Sequence, residues 1–156
     1  MTIEIADLLA PRGVIAQLRV GSKKQALQEI SKRAAVITGV AERRIYDVLA
    51  ERERLGSTGI GKGIAIPHGK LPELPRLYGC FARLERPIPF DAIDDLPVDL
   101  MFTLLAPIDA GAEHLRALAQ VSRLLRDEAI CQKLRGTDST DALLALLTDR
   151  TENQAA

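Results

Sequence analysis

Tryptophan is absent from this chain of 156 residues, and aromatics reach only 3%, three Phe and two Tyr. Stacking platforms for single-stranded bases are therefore nearly missing, and a core has to be assembled from Leu, Ile, Val and Ala. An excess of either charge is missing too: 21 Lys and Arg stand against 21 Asp and Glu, so no net field favours nucleic acid or anionic lipid, and no nucleic-acid partner is expected. Cysteine occurs twice, at Cys80 and Cys131, each inside an apolar pattern and not in a Cys-x-x-Cys pair, which reads as buried free thiols. With only two histidines, His68 and His114, and no paired ligand spacing beside either, neither a metal nor another cofactor is expected. The segment Gly59-Ile60-Gly61-Lys62-Gly63 has neither the spacing nor the hydroxyl of a nucleotide-binding P-loop. The longest apolar stretch, Val98 to Ile108, contains Asp99 and Pro107 and falls well short of the roughly 20 residues that span a bilayer. Met1 to Leu9 carries Glu4 and Asp7 where a secretory leader would be basic. The expectation is no direct membrane insertion and a cytoplasmic, reducing location.

What is present is ordinary globular material, 47% hydrophobic and 27% charged, long enough for one domain with a sizeable core. One domain over residues 1–148 and a flexible tail over 149–156 are expected. Val14 to Val20 alternates like a strand, and Gly21-Ser22 breaks it with Ser22 as a helix N-cap. Ala26, Leu27, Ile30, Ala34 and Ile37 recur at helical spacing up to Gly39, and a second helix is predicted from Glu42 to Leu55. Glycines at 56, 59, 61, 63 and 69, interleaved with Ile60, Ile64 and Ile66, predict a tight loop feeding a short strand with His68 at its end. Leu77 to Leu84 and Val98 to Leu105 read as central strands, and Pro87 to Phe90 as a brief edge strand. Three helical segments follow, around Leu115 to Leu125, around Ala129 to Leu134, and over Thr140 to Leu147 with Ser139 or Asp138 as cap. The fold class is α/β: a mixed sheet of about four or five strands flanked by helices.

Chemistry points to Ile66-Pro67-His68-Gly69. Pro67 restrains its own φ and its predecessor, Gly69 leaves space beside the ring, and the imidazole is presented where another protein can approach. Neutral imidazole is a nucleophile, and phosphoryl transfer needs little beyond positioning and donors around the equatorial oxygens. Arg52, with its planar fork, and the hydroxyls of Ser57 and Thr58 are candidate donors; the plain reading of Arg52 is a surface charge paired with a nearby Glu. His114 lies in the first turn of a helix, where the imidazole is held neutral and can donate one hydrogen bond to an anion; the plain reading is a partly exposed histidine. Asp94-Asp95 reads as a pair of solvated turn residues rather than a catalytic carboxylate dyad.

The continuous segment Arg52-Glu53-Arg54-Leu55-Gly56-Ser57-Thr58-Gly59-Ile60-Gly61-Lys62-Gly63-Ile64-Ala65-Ile66-Pro67-His68-Gly69-Lys70 resembles the fructose/mannitol-type IIA components of the bacterial phosphotransferase system, most closely the nitrogen-related branch. The likeness extends to the Ile3 to Leu9 start, to Pro107-Ile108-Asp109-Ala110-Gly111-Ala112-Glu113-His114, and to the final helices. It implies His68 as phosphoryl acceptor through its outer ring nitrogen, with His114 and Arg52 as stabilisers of the phosphoryl group. It also implies an HPr-like phosphocarrier (NPr) as donor and regulatory proteins as partners. Lys62 stands where nitrogen-related members often carry Asn, which alters local charge without touching this chemistry. No permease segment or second carrier domain accompanies the motif, and a free-standing regulator is expected. The alternatives are a sugar-specific IIA subunit handing phosphate to a permease IIB domain, and a binding module without phosphotransfer.

Overall fold

A computed structural model describes residues 4–149. The predicted tail, apart from Asp149, lies outside the described residues, as does the start of the Ile3 to Leu9 likeness. Twelve elements follow in order: α1 (Ile5–Leu8), β1 (Leu9–Leu18), α2 (Lys23–Thr38), α3 (Glu42–Leu55), β2 (Gly59–Gly61), β3 (Ile64–Ala65), β4 (His68–Lys70), β5 (Tyr78–Ile88), β6 (Val98–Ala106), α4 (Ala112–Leu125), α5 (Glu128–Arg135) and α6 (Thr140–Thr148).

The strands form one six-stranded sheet in the order β1-β5-β6-β3-β2, with β4 also on β6. The sheet is mixed: β1 runs parallel to β5, β3 and β4 run parallel to β6, and β5–β6 and β2–β3 are antiparallel. Strand β6 is the spine. Leu100, Phe102, Leu104 and Ala106 join a core under α1, α4, α5 and α6, while Met101 and Leu105 join a core under α2 and α3. Burial on both faces is why the segment reads as a near-continuous apolar run instead of an alternating one.

Helix ends follow local chemistry. Ser22 Oγ accepts from Gln25 N at 3.2 Å to start α2, and Gly39, at φ 77°, closes it in the left-handed conformation that costs glycine least. Ser139 and not Asp138 caps α6, accepting from Ala142 N.

Beyond the short helix α1 and a first strand that runs over Leu9–Leu18 in place of Val14 to Val20, three features depart from the expected outline. The glycine-rich stretch makes three very short strands, which brings the sheet to six. His68 opens β4 instead of ending a strand: Ala65 faces Met101 and His68 faces Leu104, so Ile66-Pro67 is an in-register interruption of one line of chain. Pro67 has no N–H to give the ladder, but its carbonyl still accepts from Leu104 N at 2.9 Å. Pro87 and Ile88 are not a separate edge strand; they finish β5, with Ile88 opposite Val98, because β6 continues far enough to pair them.

The site end of the sheet depends on a close approach of helix to strand. A Cβ placed on Gly69 of β4 would overlap Cγ1 of Val48 on α3. Gly69→Ala is therefore expected to destabilise the protein by about 1–3 kcal/mol through overpacking. Urea denaturation of Gly69→Ala and of Gly69→Ala/Val48→Ala checks this: the second substitution restores part of the loss if the clash is the cause.

Candidate functional site

The last turn of α3, the start of β4 and the first turn of α4 converge on one cleft. Arg52 comes from the first, His68 from the second and His114 from the third. The cleft holds about 500 Å³ and is lined by these three residues together with Lys70, Arg44, Glu51, Gly69 and the apolar Val48, Leu55, Pro72 and Ile108. Leu55 and Ile108 are 82% and 56% exposed, so the mouth carries an apolar rim.

The protonation of His68 follows from its two neighbours. Nδ1 lies 2.9 Å from the carbonyl of Ile66, which can only accept, so Nδ1 carries the hydrogen. Nε2 lies 3.3 Å from Nε–H of Arg52, which can only donate, so Nε2 carries the lone pair. Both contacts select the same neutral tautomer. Desolvation lowers the pKa of His68 below its ordinary value of 6.5 and the Arg52 charge adds to this, while the Ile66 carbonyl and Glu53 oppose it. The ring is thus neutral at pH 7, with its nucleophilic nitrogen against a guanidinium. Arg52 is itself steered by a bond from Nη1 to the carbonyl of Gly56 at 2.9 Å, which holds its guanidinium in the cleft, and among the described residues no acidic partner pairs with it.

His114 is buried, with its ring centroid 5.6 Å from that of His68 and the planes tilted by 52°. Burial first, then the neighbouring His68 and Lys70, push its pKa down to about 4. Its Nδ1 has no hydrogen-bond partner among the described residues. A neutral imidazole beside the lone pair of His68 can donate one N–H to an anion held there, without the repulsion a second cation would add.

Ser57 and Thr58 do not serve as donors to this cleft. Ser57 Oγ donates to the carbonyl of Phe90 at 2.7 Å and accepts from Gly59 N, and the Thr58 hydroxyl donates to the Glu53 carboxylate. Both hydroxyls are consumed in shaping the turn after α3. Asp94 accepts from Lys62 N and Leu96 N, which lowers its pKa, and it is a turn residue as the sequence suggests. Lys62 takes the left-handed conformation at φ 56°, one that Asn tolerates better than most, and its Nζ pairs with Glu128 at 3.0 Å. Two contributors escaped sequence reasoning: the Ile66 carbonyl, since backbone direction is invisible in a sequence, and Glu53, whose ion-pair partner Lys23 lies 30 positions away.

Among the described residues no group of three or more His, Cys, Asp and Glu is arranged to hold a metal, and no helix is long and apolar enough to cross a membrane. Both cysteines are free and buried, and burial pushes the Cys80 thiol up to about 12.

The depressed histidines link stability to pH. Unfolded histidine binds a proton near pH 6.5, whereas folded His114 resists until about 4. Between those values the unfolded state holds more protons, so stability rises with pH there and falls on acidification from about 6.5 towards 4. Urea unfolding across this range is expected to show a shallower fall for His114→Gln than for the native chain; identical profiles would contradict the assignment.

The sequence matches the model of the family described as phosphoenolpyruvate-dependent sugar phosphotransferase system, EIIA 2, over residues 7–150. A nitrogen regulatory protein of Bradyrhizobium diazoefficiens is 54% identical, with 92% of this chain and 94% of that protein covered. Its counterpart in Escherichia coli is 43% identical, with 95% and 91% covered. The crystal structure of nitrogen regulatory protein IIA-Ntr from Neisseria meningitidis superimposes with a TM-score of 0.88 at 34% identity, covering 92% of this chain and 99% of that one. The sequence and the fold thus agree, and the chain belongs to the type 2 EIIA family of the phosphoenolpyruvate-dependent sugar phosphotransferase system, with nitrogen regulatory proteins among its relatives.

Proposed function

We propose that this protein is a cytoplasmic phosphocarrier of a nitrogen-related phosphotransferase chain, in which His68 takes a phosphoryl group from an HPr-like carrier (NPr) and the phosphorylation state is read by regulatory partners. The observation that carries this reading is the pinned tautomer of His68: Nδ1–H on the Ile66 carbonyl and a lone pair at Nε2 beside Arg52.

In the transfer step the Nε2 lone pair attacks phosphorus in line. The P–N bond to the donor's histidine breaks, and its electron pair returns to the donor ring. Positive charge that builds on the His68 ring is held by the hydrogen bond from Nδ1 to Ile66, while Arg52 turns its N–H groups from Nε2 to the phosphoryl oxygens. His114, neutral and close, donates to the same oxygens. The apolar rim at Leu55 and Ile108 gives a carrier protein a surface to exclude water from this exchange. A regulatory role is favoured over sugar import by the relatives at 54% and 43% identity, which are nitrogen regulatory proteins.

Intact-mass spectrometry at alkaline pH, after incubation with the general phosphotransferase enzyme, its histidine carrier and phosphoenolpyruvate, is expected to show one added phosphoryl group. The addition disappears in His68→Ala and persists in His114→Ala; a native chain that gains no mass would leave a pure binding module. Arg52→Ala is expected to slow uptake by about 10²-fold, the usual loss for one donor to a developing oxyanion, measured by rapid quench.

A further inference from the structure

Directly after Arg52 in the chain lies a carboxylate that the transfer step does not use. The Glu53 side chain is only 6% exposed and pairs with Lys23 Nζ at 2.8 Å. It also accepts from the backbone N of Thr58 at 3.1 Å and from the Thr58 hydroxyl. Lys23, in the first turn of α2, has its Nζ 4.7 Å above the Phe90 ring and 3.8 Å from Asp91. A charge withdrawn this far from water is tolerated only when it is both paired and hydrogen-bonded, and Glu53 is both.

The bonds form a chain that ends at the nucleophile. Glu53 grips Thr58 through its side chain, and its own carbonyl accepts from Gly56 N at 3.2 Å, so the turn over residues 56–58 is held from two sides. That turn supplies the Gly56 carbonyl, which accepts from Nη1 of Arg52, and Arg52 in turn reaches Nε2 of His68. We propose that Glu53 is a positioning residue for phosphotransfer, acting through Thr58 and Gly56 to aim the Arg52 guanidinium at the phosphoryl group on His68. The proposal rests on the phosphocarrier reading for its kinetic consequence, but not for the geometry itself.

A double-mutant cycle separates positioning from mere support. Glu53→Gln keeps the size of the side chain and removes its charge; Thr58→Val removes the hydroxyl and leaves Lys23 paired, which covers the case that Glu53→Gln fails to fold. Each is expected to slow single-turnover uptake from a saturating phosphorylated carrier by about tenfold or more, with the KM for the carrier unchanged, because misaiming one group by an ångström is costly. In an Arg52→Ala background the same substitutions are expected to cost less than about twofold, since no guanidinium remains to be aimed. Equal losses in both backgrounds, no loss, or a change confined to KM would each overturn the proposal. A second readout needs no donor: exchange of the Arg52 Nε–H with solvent, followed by NMR, is expected to accelerate at least about tenfold in both variants as its contact with His68 loosens. Unchanged exchange overturns the proposal, whereas a native chain that takes up no phosphoryl group overturns the phosphocarrier reading and leaves this measurement to decide the role of Glu53.

Discussion

The contact between His68 Nδ1–H and the carbonyl two residues behind it, on Ile66, is the constraint around which the site is built. A carbonyl cannot donate, so the ring is left with one possible neutral tautomer, and the nucleophilic nitrogen is forced to face the cleft. For Ile66 to present its carbonyl this way, the chain must interrupt its ladder between Ala65 and His68 without losing register on β6, and Pro67 does that by having no N–H to offer. Gly69 then lets α3 come close enough for Arg52 to reach the ring. The fold's contribution to chemistry is therefore short-range and rigid: strands of two or three residues pinned to a spine buried on both faces.

Electrostatics complete the design through neutrality. The chain as a whole carries no net charge, yet the cleft gathers Arg52 and Lys70 around two imidazoles whose pKa values burial has lowered. A cationic His68 would have no lone pair to give, and a cationic His114 would repel the ring as its charge develops. Keeping both neutral costs stability below pH 6.5 and leaves the arginine and lysine as the attraction for a dianionic group. The ion pair of Glu53 and Lys23 adds a fixed anchor at the turn after α3, with the ammonium of Lys23 offsetting a carboxylate whose charge is felt at His68.

Much of this was legible from residues alone. Helices α2 and α3 announce themselves through Ser22, Gly39 and the glycine break after Leu55, because caps and breakers act locally and leave a local mark. Strands β5 and β6 are apolar enough to be recognised as central. The four-residue α1 and the strands β2 to β4 are too short to show any period, so six strands look like four or five. At the site, His68 stands out through its Pro and Gly flanks, while Arg52 and His114 are candidate donors by residue type and position that only the family likeness lifts above their plainer readings. Ser57 and Thr58 misled because a hydroxyl beside a candidate site looks available until its partners, the Phe90 carbonyl and Glu53, are seen. Glu53 was hidden for the converse reason: four charged residues in one helical turn look like solvated surface, and only the fold brings Lys23 over it.

The central claim is that Nε2 of His68 is the atom prepared for phosphorylation. Long-range 1H–15N correlation NMR of the phosphorylated, 15N-labelled protein tests it most directly, since each ring nitrogen has its own shift and only the substituted one couples to phosphorus. The account predicts phosphorus on Nε2, with Nδ1 retaining the shift of a nitrogen bonded to the Ile66 carbonyl. Phosphorus on Nδ1, or on His114, would contradict it.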